Sequence, residues 1–244
     1  MHGELLERVV QRDNLRRALK QVRRNKGAPG IDGMSVDELP EHLVHHWVHI
    51  KGDIFAGRYR PQPVRRVEIP KPDGRKRMLG IPTVLDRFIQ QAIAQIVQAQ
   101  WEPHFHPDSY GFRPERSAHQ AVRKLQADVK AGHDWVVDLD LESFFDRVNH
   151  DRLLHRLGRH VAGQALLGLI TALLKAGAWV DGQHEPSRME VPQGGPLSPV
   201  LANVVLDEMD WELHRRGHHF ARYANDCNIE VKSERAGRRV SCTA

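Results

Sequence analysis

Cysteine is scarce in this sequence, which has Cys227 and Cys242 and no others among 244 residues. Two isolated cysteines exclude a disulfide framework and a cysteine-rich zinc site. No run of about 18 apolar residues occurs, so no membrane-spanning helix is expected. The first ten residues have no apolar segment of the kind that a signal peptide needs. We therefore expect a cytoplasmic protein with no membrane partner.

Internal repeats, low-complexity tracts and Gly- or Ser-rich linkers are also missing, which favours one domain or two intimate subdomains. The hydrophobic fraction of 40% and the charged fraction of 27% fit a globular protein. A net charge of +5 is modest, but basic residues cluster at positions 16–26 and 58–77. Such clusters can neutralise phosphates, although a solvated helix face and a basic loop would have the same composition.

Hydrophobic periodicity predicts an α+β protein with an antiparallel sheet. Asp13 is expected to cap a first helix with an apolar stripe of Leu15, Ala18, Leu19 and Val22. Further helices are predicted at 36–55, around 88–97, after a Ser117–Gln120 capping box with Ala121, Val122, Leu125 and Val129 inward, from 149 or 150, at 165–174 and at 198–216. Strands are predicted at 64–69 and 76–81 around a turn at 72–74, at 135–141 as a buried strand, and at 220–223 and 227–231; Asp181-Gly182 predicts a hairpin turn.

Two aspartates distant in sequence stand at predicted strand ends. Asp140 closes the 135–141 strand with Asp138 on the same face, and Asp226 lies in the bend of the last hairpin. A single Asp at a strand end is usually a turn former or a cap. Two carboxylates on adjacent strand ends, however, can hold two Mg²⁺ ions roughly 3.5–4 Å apart. His45, His46 and His49 have helical spacing, but no carboxylate or Cys set completes a zinc site.

Several segments together resemble group II intron-type reverse transcriptases. Residues 137–146 resemble the first metal-binding motif, and Arg222-Tyr-Ala-Asn-Asp226 resembles the Tyr-Ala-Asp-Asp motif. The resemblance continues in the glycine-rich segment 191–199, the fingers hairpin 69–82, the block 109–114 and the N-terminal motif 26–33, and it spans about residues 12–237. Several motifs in the family's order are far more specific than any one of them.

The resemblance implies a right-hand fold over residues 1–244, with helical fingers and a basic β-hairpin at about 1–115 and an antiparallel-sheet palm at about 116–240. The family's thumb has no counterpart in the sequence. The implied function is an RNA-directed DNA polymerase core that uses Mg²⁺ at a two-metal site. Its implied partners are an RNA template such as intron RNA, a DNA or RNA primer, and a dNTP.

The resemblance also implies roles for individual residues. Asp140, Asp226 and the Leu141 carbonyl are the expected metal ligands, and Phe145 is the expected gate that excludes a 2′-hydroxyl. The remaining assignments are Lys71, Arg77 and Gln193 to the nucleotide, and Tyr223, Gly194, Gly195 and Arg113 to template and primer. Each has an alternative, since Phe144 or Phe145 can be core, a basic hairpin can be merely solvated, Tyr223 can be a buried strand residue, and the glycines can form an ordinary turn. By the family pattern Asp146 is structural.

Asn225 departs from the family pattern, because it replaces the first Asp of the catalytic pair and removes one negative charge from a site for two dications. One hypothesis is therefore a polymerase core, and the other is a catalytically impaired, truncated relative that binds RNA or assists splicing. An RNA-dependent RNA polymerase is disfavoured by Phe145. The final residues, 235–244, are expected to be a polar end without a closing element, and processive synthesis is expected to fail without a thumb.

Overall fold

The computed structural model describes residues 4–70, 74, 76–141, 144, 148–180, 183–185 and 194–241, with the side chains of Arg77 and Asp140 excepted. The chain forms two compact units, each built from two stretches of sequence. Unit 1 comprises Met1–Gln100 and Phe145–Ser198, and unit 2 comprises Trp101–Phe144 and Pro199–Ala244. The predicted division into fingers and palm stays a prediction about the family's subdomains.

The described residues include helices and two sheets, which confirms the predicted α+β class. The α-helices are α1 (Glu4–Val9), α2 (Arg12–Asn25), α3 (Leu39–Phe55), α4 (Val84–Trp101), α5 (Ala118–Lys130), α6 (His150–Leu157), α7 (Gln164–Leu174), α8 (Ser198–Arg215) and α9 (Glu234–Ser241). The strands are β1 (Val64–Pro70), β2 (Lys76–Ile81), β3 (Trp135–Asp140), β4 (Ala178–Val180), β5 (Gln183–Glu185), β6 (His219–Tyr223) and β7 (Asp226–Val231). No helix in the described part of the chain is long and apolar enough to cross a membrane.

The start of the first predicted helix was wrong. Gln11, in an extended conformation, is the N-cap of α2, and Asp13 lies inside the first turn. A separate short helix, α1, precedes it, and the two helices are separated by Val10 and Gln11. Six residues are too few to show a helical period, which is why the sequence did not reveal α1. The predicted stripe holds in part, because Ala18 and Val22 of α2 are buried.

The predicted basic hairpin in unit 1 is confirmed. Strands β1 and β2 pair antiparallel from Arg65 opposite Ile81 to Pro70 opposite Lys76. Residues 71–73 of its predicted turn lie outside the described residues. Strand β1 also pairs in parallel with β4, and β4 pairs antiparallel with β5, which gives the order β2-β1-β4-β5. The predicted Asp181-Gly182 turn is likewise not described, but β4 and β5 flank it.

Unit 2 is built on the antiparallel sheet β3-β7-β6. One face of this sheet packs under α8 and α9 through a buried cluster of Leu213, Phe220, Cys227, Ile229, Val231 and Val240. The other face packs against α5, where Tyr110, Ala121 and Ala221 are buried together. Residues of the two clusters alternate along a strand, as Phe220 and Ala221 do in β6, because successive side chains of a strand point to opposite faces of the sheet.

Three expectations for unit 2 were wrong. Val122 and Val129 of α5 are exposed, because Ala121 and Asp128 face the sheet instead. Strand β3 is an edge strand, and its Trp135 and Val136 are exposed, so it is not a buried strand. Residues 235–241 do form a closing element, because they belong to α9, which packs on β3 and β7 through Val240 and Ala236. The predicted Ser117–Gln120 capping box is confirmed.

Candidate active site

The two predicted metal ligands stand opposite each other in the sheet of unit 2. In the ladder between β3 and β7, the Cα partner of Asp140 is Asp226. Directly opposite Cα atoms in an antiparallel pair lie about 4.5–5.5 Å apart, and the two positions share one face of the sheet. Asp138 and Asn228 form the next pair on that face, with Leu139 and Cys227 between the two pairs on the opposite face. Asp226 is exposed, and Leu141, which follows β3, is half-buried.

The turn that carries this site is tighter than the sequence predicted. Tyr223 is paired with Asp226, so Ala224 and Asn225 alone connect β6 to β7 and Asp226 belongs to the strand. Ala224 has a φ of +59°, a conformation that tight hairpin turns require and that residues other than glycine seldom adopt. Tyr223 is 41% exposed, which excludes the alternative of a buried strand tyrosine.

Beneath this turn lies an ion pair that the sequence analysis missed. Arg222 and Asp210 are both fully buried, and their side chains form a bidentate pair in which Nε and Nη2 each lie 2.7 Å from a carboxylate oxygen. Nη2 also donates to Ser109 Oγ at 2.7 Å, and Nη1 donates to Asn203 Oδ1 at 3.0 Å. A further bond from Nη1 reaches the carbonyl oxygen of Ala224, inside the turn, at 2.6 Å.

A pattern in α8 was the signal for this network. Asn203, Asp207 and Asp210 recur at positions i, i+4 and i+7, and all three are buried. Polar side chains at the spacing of a helix's buried stripe require hydrogen-bond partners inside the protein. This spacing could have shown that α8 covers buried polar contacts, although it could not have named Arg222 as a partner.

Cys227 follows Asp226 and points to the opposite face. Burial, with the nearby Asp210 carboxylate as a further cause, raises the pKa of its thiol to about 12. A thiol that stays protonated at neutral pH is a poor nucleophile and a poor metal ligand. Cys227 therefore acts as the small buried strand residue that the sequence indicated.

The nucleotide-binding positions predicted from the resemblance belong mostly to parts of unit 1 outside the described residues. Lys71, Phe145 and Gln193 are among those undescribed positions. For Arg77 only the backbone is described, and it pairs with Ile69 in the β1–β2 hairpin. These four assignments stay predictions.

Gly194 and Gly195 are described, and they have a packing role within unit 1. A Cβ atom on Gly194, which has a φ of +125°, would lie 2.5 Å from the carbonyl oxygen of Gly80 in β2. A Cβ atom on Gly195 would lie 2.2 Å from Gln90 Oε1 of α4. Both glycines therefore let this segment approach its neighbours in unit 1 closely, and their predicted contact with template stays a prediction.

Arg113 occupies an internal position in unit 2. Its side chain is 3% exposed and pairs with Glu102 at 2.7 Å. Its Nη1 donates to the carbonyl oxygens of His106 and Ser109 at 2.6 and 2.7 Å. These contacts favour a structural role over the predicted contact with template or primer.

The donor atoms at the β3–β7 pair suit a hard dication. Carboxylate and carbonyl oxygens are the ligands that Mg²⁺ prefers, and the positions 140, 141 and 226 would supply them. Asn225 contributes an amide in place of a carboxylate, so the set carries less negative charge than a pair of dications favours. Among the described side chains, no group of three or more His, Cys, Asp or Glu could hold a metal ion. His45, His46 and His49 are exposed on α3.

Several solved structures share this fold. A chain of a partial Cas6-RT-Cas1–Cas2 complex matches 96% of this chain and 40% of its own length, with a TM-score of 0.57 and 22% identity. Telomerase from Candida albicans, solved with a fragment of telomeric RNA, matches 82% of this chain and 43% of its own, with a TM-score of 0.58 and 12% identity. At these identities the likeness shows the fold alone.

The sequence relationship shows the family. The model of the reverse transcriptase (RNA-dependent DNA polymerase) family matches residues 69–242, and this chain belongs to that family. The group II intron-encoded protein LtrA of Lactococcus lactis subsp. cremoris is 37% identical over 196 residues, 79% of this chain and 32% of LtrA. Protein YkfC of Escherichia coli strain K12 is 37% identical over 218 residues, 87% of this chain. These relatives confirm the predicted group II intron type.

The chain spans 57% of the length of YkfC and 32% of the length of LtrA. Nuclear intron maturase 4 of Arabidopsis thaliana is a more distant relative, 25% identical over 218 residues. Members of the reverse transcriptase family generally use divalent metal ions.

Proposed function

We propose that this chain is the nucleotidyl-transfer core of a group II intron-encoded reverse transcriptase. It would extend the 3′-hydroxyl of a DNA or RNA primer with dNTPs along an RNA template, in the cytoplasm. The observation that supports this most directly is the cross-strand pairing of Asp140 with Asp226. It brings two carboxylate-bearing positions, 86 residues apart in sequence, to one face of one sheet.

In this proposal Asp140, Asp226 and the Leu141 carbonyl would hold Mg²⁺. Bound there, Mg²⁺ would supply the positive charge that favours attack by the primer hydroxyl and stabilises the departing oxygen of the triphosphate. The exposed Tyr223, adjacent to the turn, would support the primer end. Because antiparallel pairing fixes the register of β3 and β7, the protein positions the two acidic residues before any ligand binds.

The nucleotide would be recognised by residues that the family resemblance assigns. Lys71 supplies a point charge and Arg77 a planar fork of donors, and both suit a triphosphate. Phe145 would form the wall that excludes a 2′-hydroxyl, and Gln193 offers both a donor and an acceptor to the nucleotide. Gly194 and Gly195 would let the backbone lie close to template or nucleotide.

Asn225 supports a second candidate function. A site with one carboxylate fewer holds two dications less well. The native chain would then retain the fold and RNA binding while its polymerase activity is weak. We therefore expect slow or undetectable extension by the native sequence. In that case its role would be to bind intron RNA or assist splicing.

Primer extension on an RNA template separates the two functions. We expect N225D to raise the rate of Mg²⁺-dependent dNTP incorporation at least tenfold over the native chain. The control is N225D/D226N, which restores one charge and removes another and should return the rate to the native level. RNA affinity, measured in parallel, should stay within about twofold in all three proteins, because the changes leave the basic clusters intact.

Two results would count against the polymerase proposal. One is an N225D protein that folds and binds RNA yet incorporates no dNTP. The other is incorporation by N225D/D226N that stays as fast as in N225D, because catalysis would then be independent of the carboxylate at position 226. Native-level RNA binding together with an inactive N225D protein would favour the splicing role.

A further inference from the structure

We propose that Arg222 is a positioning residue that fixes the Ala224–Asn225 turn and thereby sets the place of Asp226 at the metal site. The inference rests on the proposed function for its catalytic consequence. Its structural part, the immobilisation of the turn, stands on the contacts of unit 2 alone.

The contacts of the Arg222 guanidinium use all its donor capacity. A guanidinium has five N–H donors in a rigid planar fork. In this structure five bonds leave it: two to Asp210, one each to Ser109 Oγ and Asn203 Oδ1, and one to the carbonyl oxygen of Ala224. The first four hold the plane of the fork in the interior of unit 2. The fifth bond therefore joins a fixed donor to the turn.

The backbone of Arg222 is held as firmly as its side chain. Its N–H donates to the carbonyl oxygen of Asp108 at 2.9 Å, and its carbonyl oxygen accepts from the N–H of Tyr110 at 2.8 Å. The 108–110 segment thus runs alongside β6 and bonds to it just before the turn. Neither end of Arg222 can shift without breaking bonds in a buried region.

Gly111 restrains the turn through a second contact. A Cβ atom at this position would lie 2.2 Å from the backbone nitrogen of Ala224, so the two backbones touch. Asn203 links the two restraints, because its Oδ1 accepts from Arg222 and its Nδ2 donates to the Gly111 carbonyl oxygen at 2.9 Å. The left-handed conformation of Ala224 is therefore maintained by its surroundings, as unfavourable backbone conformations have to be.

Arg222 is completely buried, so it cannot touch substrate or primer. Its effect on the reaction would pass through the turn, because a metal ligand displaced by about 1 Å can cost a large factor in rate. Replacing a residue that merely supports the fold would make all of unit 2 more mobile. Replacing a positioning residue makes the turn more mobile and leaves the rest of unit 2 as it was.

Hydrogen–deuterium exchange tests this distinction without any metal or substrate. In R222K the ammonium keeps the charge beside Asp210 but cannot make the five bonds of the fork. We expect exchange in residues 224–226 to rise at least tenfold, and exchange in residues 227–231 of β7 to change less than threefold. N203A, which removes the link between Arg222 and Gly111, should act in the same direction and decides the matter if R222K does not fold. The matched control is E102Q, which removes the carboxylate partner of a different buried arginine in unit 2 and should leave the turn unchanged.

The catalytic part is measured in the N225D background. We expect R222K to weaken Mn²⁺ binding, followed by electron paramagnetic resonance, at least fivefold, and to lower kcat for single dNTP addition at least tenfold with KM for primer–template within twofold. Unchanged exchange in the turn, or an equal rise across β6 and β7, overturns the positioning role. If N225D itself binds no Mn²⁺, the proposed function fails, and the exchange result still decides whether Arg222 fixes the turn.

Discussion

The guanidinium of Arg222 and the carboxylate of Asp210 form a bidentate ion pair in which neither side chain has exposed surface. Buried pairs of this kind are costly to break, because the remaining charge stays in the interior without its partner. This pair lies directly beneath the turn that leads to Asp226. The stability of unit 2 and the geometry of the candidate site therefore depend on the same contact.

Removing one charge of this pair should destabilise the protein strongly. D210N leaves the Arg222 guanidinium buried without its carboxylate, and we expect the free energy of unfolding to fall by about 3–5 kcal/mol. Urea denaturation followed by circular dichroism measures this change. E234Q is the control, because it breaks the exposed Arg238–Glu234 pair on α9 and should cost less than about 1 kcal/mol. Equal, small losses of unfolding free energy in D210N and E234Q would contradict a buried Arg222–Asp210 ion pair.

Contact between Gly111 and Ala224 should make position 111 intolerant of a side chain. In G111A the new methyl group would meet backbone atoms at 2.2 Å, so the turn or the 108–111 segment has to move. We expect a loss of about 1–3 kcal/mol in unfolding free energy. G52A is the matched change in α3, where no described atom beyond the helix's own neighbouring backbone lies within 4 Å of the new methyl, and it should stabilise by about 0.5–1 kcal/mol. A G111A protein as stable as the native chain would rule out the close approach.

The stability of the protein is expected to depend on pH because of the buried carboxyl group of Glu230. Glu230 is 1% exposed, and burial, with the Asp128 carboxylate as a further cause, raises its pKa from 4.5 to about 7. The amine of Lys124 opposes this shift. Between pH 4.5 and about 7 the folded protein keeps a proton on Glu230 that the unfolded chain releases. The free energy of unfolding therefore falls as the pH rises through that interval. Below pH 4.5 the group is protonated in both states and contributes no penalty.

E230Q removes this titration, because glutamine stays neutral at every pH. We expect its stability advantage over the native chain to be larger at pH 8.5 than at pH 5.5 by about 2 kcal/mol, at 1.36 kcal/mol per pKa unit. Urea denaturation of both proteins at the two pH values gives the difference. Groups that do not interact with Glu230 titrate equally in both proteins, so their effects cancel. A difference that is independent of pH would show that Glu230 ionises normally.

Arg113 is predicted to stabilise unit 2 without binding RNA. R113K keeps the positive charge but loses the paired hydrogen bonds from Nε and Nη2 to Glu102 Oε1 and a bond to a carbonyl oxygen, so the free energy of unfolding should fall by about 1–3 kcal/mol. RNA affinity should stay within about twofold. The comparison variant is R23Q/R24Q, which neutralises two exposed residues of the basic cluster on α2. A large loss of RNA affinity in R113K alone would favour the template-binding role that the family resemblance implies for Arg113.

Local sequence patterns predicted much of the fold. The β1–β2 hairpin was predicted within a residue of its bounds, because alternation and turn residues lie close together in sequence. Its parallel partner β4 was not predicted, since nothing in either strand specifies a pairing between segments about 110 residues apart. The exposed side of α5 was assigned incorrectly, because an apolar stripe does not show that Asp128 would find partners in Lys124 and His219.

The sequence by itself determined the α+β class, the family, and the candidate ligands Asp140 and Asp226, because motif residues and periodicity are local properties of the chain. Only the tertiary structure decided that these two positions are cross-strand partners, that Arg113 is internal, and that Arg222 holds the turn. The physical reason is that the role of a buried polar group depends on the groups with which it forms hydrogen bonds or ion pairs. The sequence shows the donors and acceptors, but folding decides which of them meet.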